Sequence, residues 1–205
     1  MKKLVCIILI LSIMIAIGPA AAAYTTKYKS LTSEKYLWDT LFHITQSPIV
    51  TSAILAMYWR ESFFRSDVIG GEHLIYADLS TEFTEKLDLG MSKEDFIAVV
   101  QFEYGGYGLA QWCTQDNLTR LYDYTIEWGG SFGNAKMQCY FTIEDLKNNF
   151  SDIWEVLNAI KDPYEAGRII AIYYEGTSEG VEYVGKISNF FCQNYLNNIF
   201  LLPEE

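Results

Sequence analysis

Histidine is the scarcest chemistry-bearing residue in this 205-residue chain, which has only His43 and His73. Two imidazoles exclude a histidine-rich metal site, and a catalytic triad built around either one is not expected. His73 reads as a solvated loop residue. Cysteine is almost as sparse. Of the four, Cys6 lies in the N-terminal apolar run, which leaves Cys113, Cys139 and Cys192. Three thiols cannot all pair internally, and their wide spacing excludes both a disulfide framework and a zinc site. They read as ordinary buried apolar residues with at most one bridge, and no metal or organic cofactor is expected. Basic charge is also short, with 15 Lys and Arg against 26 Asp and Glu and a net charge of −11. Without a basic stripe interleaved with aromatics, phosphate backbones have no seat, so nucleic acid is excluded as a partner. Long-range capture of anionic polymers is disfavoured for the same reason.

Long apolar runs are missing too, apart from one. Lys2-Lys3 precede a nearly unbroken apolar stretch at 4–17, followed by Gly18-Pro19 and the small residues of 20–23. That pattern is expected to be a secretory signal peptide at 1–23, cleaved before Tyr24. A membrane anchor would need roughly 20 apolar residues, so none is expected to remain after cleavage. Loss of Lys2 and Lys3 makes the remaining chain, 24–205, still more acidic. That remainder falls within the size of one domain, and half of the residues are apolar and 16% aromatic, enough for a substantial core.

No internal repeat or low-complexity linker interrupts the chain; helix start signals recur instead. Ser33 caps a helix with Leu37, Leu41 and Ile44 on one face. Ser47-Pro48 opens a second segment through Arg60, so poor in polar residues that it should run through the core, with Glu61 at its end. The stretch 66–89 lacks a sustained period and contains Gly70-Gly71, so it reads as a long loop or irregular hairpin, the kind of segment that usually carries function. Ser92 and Asp95 cap a short helix before the turn cluster Gly105-Gly106-Tyr107-Gly108. A helix follows at 116–128. Met137, Phe141 and Leu146 share a further helical face, and Ser151 starts another turn. Asp162-Pro163-Tyr164-Glu165 is a capping pattern, Gly176 ends that helix, and a last one spans 181–199 with Val184, Ile187 and Phe191 inward. The fold class is mainly α, with room for a small β-hairpin.

Two places can carry chemistry. Glu61, at the end of an apolar helix beside Trp59 and Phe63, is placed where partial desolvation favours the acidic form that a general acid needs. The bland alternative is a surface ion pair with Arg60 or Arg65. The segment Gly106-Tyr107-Gly108-Leu109-Ala110-Gln111-Trp112 combines a glycine turn, an amide and aromatic rings, a mixture suited to sugars. Gln111 can hydrogen-bond an acetamido group or hydroxyl, while Tyr107 and Trp112 can offer apolar faces to pyranose rings. Against this stands a plain tight turn with Trp112 in the core.

Glu61-Ser62 followed at a distance by Gly-Tyr-Gly-Leu-Ala-Gln-Trp resembles the phage-tail-type lysozyme family of peptidoglycan hydrolases. Arg120-Leu121-Tyr122, Met137-Gln138 and Tyr174-Glu175-Gly176 look like that family's later landmarks, so the resemblance covers about 48–196. It implies a lysozyme-like helical domain that cleaves glycan strands of peptidoglycan, as a muramidase or a lytic transglycosylase, with Glu61 in the position of the catalytic glutamate. Glu103 stands where relatives often carry an aspartate and is the leading second carboxylate, ahead of Asp67, Glu72 and Asp88. Glu175 reads as a structural brace. The chain departs from the family pattern at Ala56-Met57, where Gly-Asn is usual, and at Cys113, where threonine is. Those departures support an alternative, an inactive peptidoglycan-binding or inhibitory module, and a plain secreted interaction domain is a third reading. The expected protein is a secreted or wall-associated monomer whose partner is peptidoglycan.

Overall fold

Two serines start the first pair of helices. Ser33 Oγ accepts from the Tyr36 N–H to open α1 (Glu34–Thr45), and Ser47 Oγ accepts from the Val50 N–H to open α2 (Pro48–Ser62). Pro48 occupies the first position of α2, where its missing N–H costs nothing. A computed structural model describes residues 33–70 and 77–199; the leader at 1–23 and the candidates Glu72 and His73 lie outside the described residues. Every side chain from 50 to 58 is buried, so α2 is the apolar-all-round helix that its sequence predicts. Its buried hydroxyls are answered: Thr51 meets Thr45 at 2.8 Å, and Ser52 donates to the Ile49 carbonyl at 2.9 Å. Burying residues such as Ile54, Leu55 and Met57 contributes about 1.5–3 kcal/mol each.

Seven further helices follow: α3 (Ala77–Asp88), α4 (Lys93–Val99), α5 (Gln115–Trp128), α6 (Ala135–Asn149), α7 (Ser151–Ala159), α8 (Pro163–Tyr173) and α9 (Val181–Ile199), with a π-helical turn at Val100–Tyr104 continuing α4. The fold is mainly α. α8 and α9 pack on each other and both pack on α2, while α1 bridges α2 and α6. The α8–α9 crossing is tight because Gly167 has no side chain: a Cβ there would stand 2.7 Å from Ser188 Cβ and 2.8 Å from the Val184 carbonyl. Only glycine fits without separating the helices.

Three expectations change. The loop expected at 66–89 contains α3, whose buried face mixes Phe83 and Leu87 with Ser80 and Thr84. In place of a hairpin, the described residues hold only isolated bridges, Ile69 to Tyr107 and Tyr107 to Trp112. All three described cysteines are free, and Cys113 is exposed where a buried one was expected. No helix among the described residues is long and apolar enough to cross a membrane.

Candidate active site

The central helix ends abruptly, and the abruptness places Glu61. After Ser62 the chain turns through two left-handed residues in succession, Phe63 (φ 48) and Phe64 (φ 65). Bulky residues avoid that region at a cost of about 1 kcal/mol or more each. Trp59 holds the turn together: it packs edge-on against Phe63 at 5.1 Å and against Phe64 at 5.3 Å. The Phe63 N–H also bonds the Trp59 carbonyl at 3.2 Å. Glu61 is left on the last turn of α2, lining a cleft of about 330 Å³.

The glycine turn forms the facing wall, and its conformation is stitched in place from behind. Gly108 (φ 77) packs so closely on Gln138 that a Cβ would stand 2.8 Å from Oε1. Gln138 is fully buried; it accepts from the Leu109 N–H at 2.8 Å and donates to the Ser66 and Phe132 carbonyls at 2.6 and 2.7 Å. One amide thereby ties α6 to the turn and to the chain leaving α2. Gln111, itself left-handed (φ 48), donates its Nε2 to the Val68 and Gly108 carbonyls at 3.2 and 3.0 Å. Of the left-handed non-glycine residues, Gln111 lines the cleft, while Phe63 and Phe64 directly follow the helix turn that carries Glu61.

A hydrogen-bonded chain lies beneath. Trp112 Nε1 donates to the Tyr174 hydroxyl at 3.1 Å, and that hydroxyl donates to Asp145 at 3.2 Å. Asp145 also accepts from Arg120 Nε at 2.6 Å and from Asn149 at 2.9 Å, so a buried carboxylate meets a full set of donors. Burial, and after it the Asp145 charge, keeps the Tyr174 phenol neutral at any ordinary pH.

Beside Glu61 the bookkeeping is different. Arg60 Nη1 lies 3.2 Å from Glu61 and 2.9 Å from Glu175 Oε2. Glu175 is nearly buried, its Oε1 has no hydrogen-bond partner, and its Oε2 shares the same Arg60 nitrogen with an oxygen of Glu61. Burial first, and the Glu61 charge second, push the Glu175 carboxyl well above the usual carboxylate range, while Arg60 pulls the other way. Two acids therefore face one arginine. Cys113 lines the same cleft, and its thiol is pushed up by burial and by the Glu61 charge. Asn117 adds a buried Oδ1 without a partner.

Of the residues expected from sequence, Glu61, Gln111 and Trp112 line this cleft. Tyr107 does not: its ring is fully buried, edge-on to Phe83 and Phe96, and its hydroxyl meets Thr84 at 2.9 Å. It offers no face to a sugar. Trp112 is also almost wholly buried, so only its edge borders the cleft. Glu103 is exposed on the π-helical turn and does not line the cleft. Asp67 is paired with Arg65 at 3.2 Å, and Asp88 accepts from the Phe132 N–H at 2.9 Å, so both have structural work. Met57, one turn before Glu61, is buried in the core, and the polar neighbours of Glu61 are Arg60 and Glu175. The sequence did not single out Asp145; Glu175, read there as a structural brace, bonds Arg60 at 2.9 Å and also lines the cleft. The available signals were the landmarks that hold their partners, Arg120-Leu121-Tyr122 and Tyr174-Glu175-Gly176.

No curated protein and no solved structure matches the chain. The family model described as phage tail lysozyme matches residues 32–192, which takes in every residue of the cleft and well over half of the chain. With its helical fold and a carboxylate at the head of that cleft, the chain belongs to the phage tail lysozyme family.

Proposed function

We propose that this protein cuts the glycan strand of peptidoglycan with Glu61 as the general acid. A peptidoglycan-hydrolase kind of function comes with the family. The observation that carries the finer reading is the position of Glu61: on a strained helix end, lining the cleft, and sharing Arg60 with a second acid whose carboxyl burial pushes well above the usual carboxylate range. Protonated Glu61 donates to the glycosidic oxygen between N-acetylmuramic acid and N-acetylglucosamine while positive charge builds on the muramic ring. Asn117 Oδ1 is an unclaimed acceptor for a hydroxyl or acetamido N–H. Gln111 retains Oε1 for such a contact, its N–H groups being used within the turn.

Among the described residues no second carboxylate stands free in the cleft. Asp145 is engaged by Arg120, Asn149 and Tyr174. Glu175 is nearly buried and is held with Glu61 on the same Arg60 nitrogen, so it is not a carboxylate free to act from the other face of the sugar. That inventory favours attack by the muramic 6-hydroxyl, which gives the anhydro product of a lytic transglycosylase. Export by a leader at 1–23 would deliver the enzyme to the wall.

Digestion of purified peptidoglycan, with released muropeptides identified by mass, tests the reading. Anhydro products are expected from the wild type, and Glu61→Gln should lower their release by roughly 10²–10⁴-fold, the usual worth of a positioned acid. Reducing-end products would transfer the second step to water. The second reading, an inactive wall-binding module, is favoured by the apolar Ala56-Met57 pair one turn before the glutamate; retention on the wall without release by either protein would establish it.

A further inference from the structure

The Arg60 cluster holds one charge too few for its acids. Arg60 contacts both carboxyl groups, at 3.2 Å and 2.9 Å, and its own Nη2 donates to Thr177 at 3.3 Å. One cation can balance one carboxylate. Among the described residues, the other titratable groups at the cleft bring no second positive charge: Cys113 and Tyr174 are neutral acids, and Arg120 is committed to Asp145 at 2.6 Å. Glu175 is 6% exposed, so water screens a second negative charge beside Arg60 poorly. Its buried Oε1 has no hydrogen-bond partner, so no donor compensates a negative charge there.

We propose that Glu61 and Glu175 form a dyad that shares a single proton, with Arg60 as its counter-ion. In this arrangement Glu175 is a positioning residue: it never touches the sugar but keeps a proton available to Glu61 at neutral pH. The inference rests on the reading of Glu61 as the acid. The raised carboxyl of Glu175, pushed up by burial and then by the Glu61 charge, is consistent with it. The dyad also accounts for both halves of the reaction. When Glu61 gives its proton to the glycosidic oxygen, the C–O bond breaks and its electron pair leaves on the departing sugar's oxygen. The dyad is then doubly ionised beside a single arginine, and its repulsion makes it a stronger base. It recovers a proton from the attacking hydroxyl, whose oxygen bonds to the anomeric carbon, and returns to its starting state.

Two measurements test this, one of them independent of catalysis. Carbon-13 NMR titration of the glutamate carboxyls in the purified protein should show one titrating at least about one pH unit above the ordinary value of ~4.3. Glu61→Gln should bring that titration down by at least about one unit, because the like charge has gone. No raised glutamate in the wild type, or a raised one indifferent to Glu61→Gln, overturns the dyad. In the muropeptide assay, Glu175→Gln should move the alkaline limb of kcat acidward by at least about one unit, a fall of roughly tenfold at neutral pH. The rate on the acid side should change less than about threefold. An unchanged limb overturns the proposal whatever the height of the profile. Where Glu175→Gln leaves too little rate for a profile, the titration decides alone. A coupled titration in a protein that releases no muropeptides would uphold the dyad and remove the glycan reading.

Discussion

Two carboxylate clusters line the cleft, and they are built on opposite principles. Asp145 meets Arg120, Asn149 and the Tyr174 hydroxyl, so that one buried negative charge faces one positive charge and neutral donors. Glu61 and Glu175 face a single arginine and each other, with an oxygen of Glu175 left unpartnered. A satisfied buried ion is costly to disturb and has nothing left to offer a substrate. An unsatisfied pair is poised to exchange a proton, and the protein stores in that cluster the same kind of cost it carries in the left-handed Phe63 and Phe64. In the proposed function the first cluster is architecture and the second carries the chemistry.

The sharpest way to break it is to remove an acid from each cluster. Asp145→Ala leaves the Arg120 guanidinium and the Tyr174 hydroxyl without their acceptor. Arg120 is about a third exposed, so the loss should fall at the lower end of the range for a broken buried pair, about 3 kcal/mol. Denaturant unfolding checks it; a change below about 1 kcal/mol would mean that the Asp145 cluster is not the structural one.

Glu175→Gln should act with the opposite sign, because it relieves a crowded charge: stability at neutral pH should hold or rise by about 1 kcal/mol while activity falls. The effect should depend on pH. The Glu175 carboxyl binds its proton more tightly in the folded chain than in the unfolded one. Between the ordinary glutamate range and its raised value the folded state therefore holds more protons, and stability contributed below that window is lost as pH rises through it. The variant lacks this slope, so its advantage over the wild type should widen from acid toward alkaline pH. Thermal unfolding over that range, with an advantage that narrowed instead, would place the proton elsewhere.

The structural half of this contrast was more legible in the sequence than the chemical half. α2, α8 and α9 announced themselves through caps such as Ser47-Pro48 and Asp162-Pro163 and through apolar side chains at helical spacing. α3 did not, because its inner face is partly polar: Ser80 accepts from the Ile69 N–H, and Thr84 meets the Tyr107 hydroxyl. Periodicity in hydrophobicity cannot find a helix that buries hydroxyls in order to hold a loop. Glu61 was legible through its motif and its helix end. Glu175 was not, since its character depends on Arg60 and Glu61, more than 100 residues away in the chain. Tyr107 and Trp112 misled for a related reason: a loop aromatic with a polar tip suits a sugar, and suits a core equally well once the tip has a partner.

Tyr107 supplies the smallest and most specific test, because the two roles of that side chain make different demands on its hydroxyl. As a sugar platform it would present its ring to the sugar and its hydroxyl to a sugar hydroxyl or to water, so Tyr107→Phe would leave folding unchanged and raise KM only through the lost hydroxyl contact. In the structure the hydroxyl meets Thr84 at 2.9 Å inside the core, and the backbone N–H and carbonyl pair with Trp112 at 3.1 and 3.0 Å. Tyr107→Phe keeps the ring and the backbone pairs and strands a hydroxyl on Thr84, whose other contact, the Asp67 carbonyl, is a long 3.5 Å. The expected cost is therefore about 1 kcal/mol of stability. The rate of glycan cleavage per folded molecule and its KM should be unchanged, since the turn that carries Gln111 is held from behind by Gln138 and not by this hydroxyl. A raised KM with unaltered stability would return Tyr107 to the cleft and require the turn to open on binding.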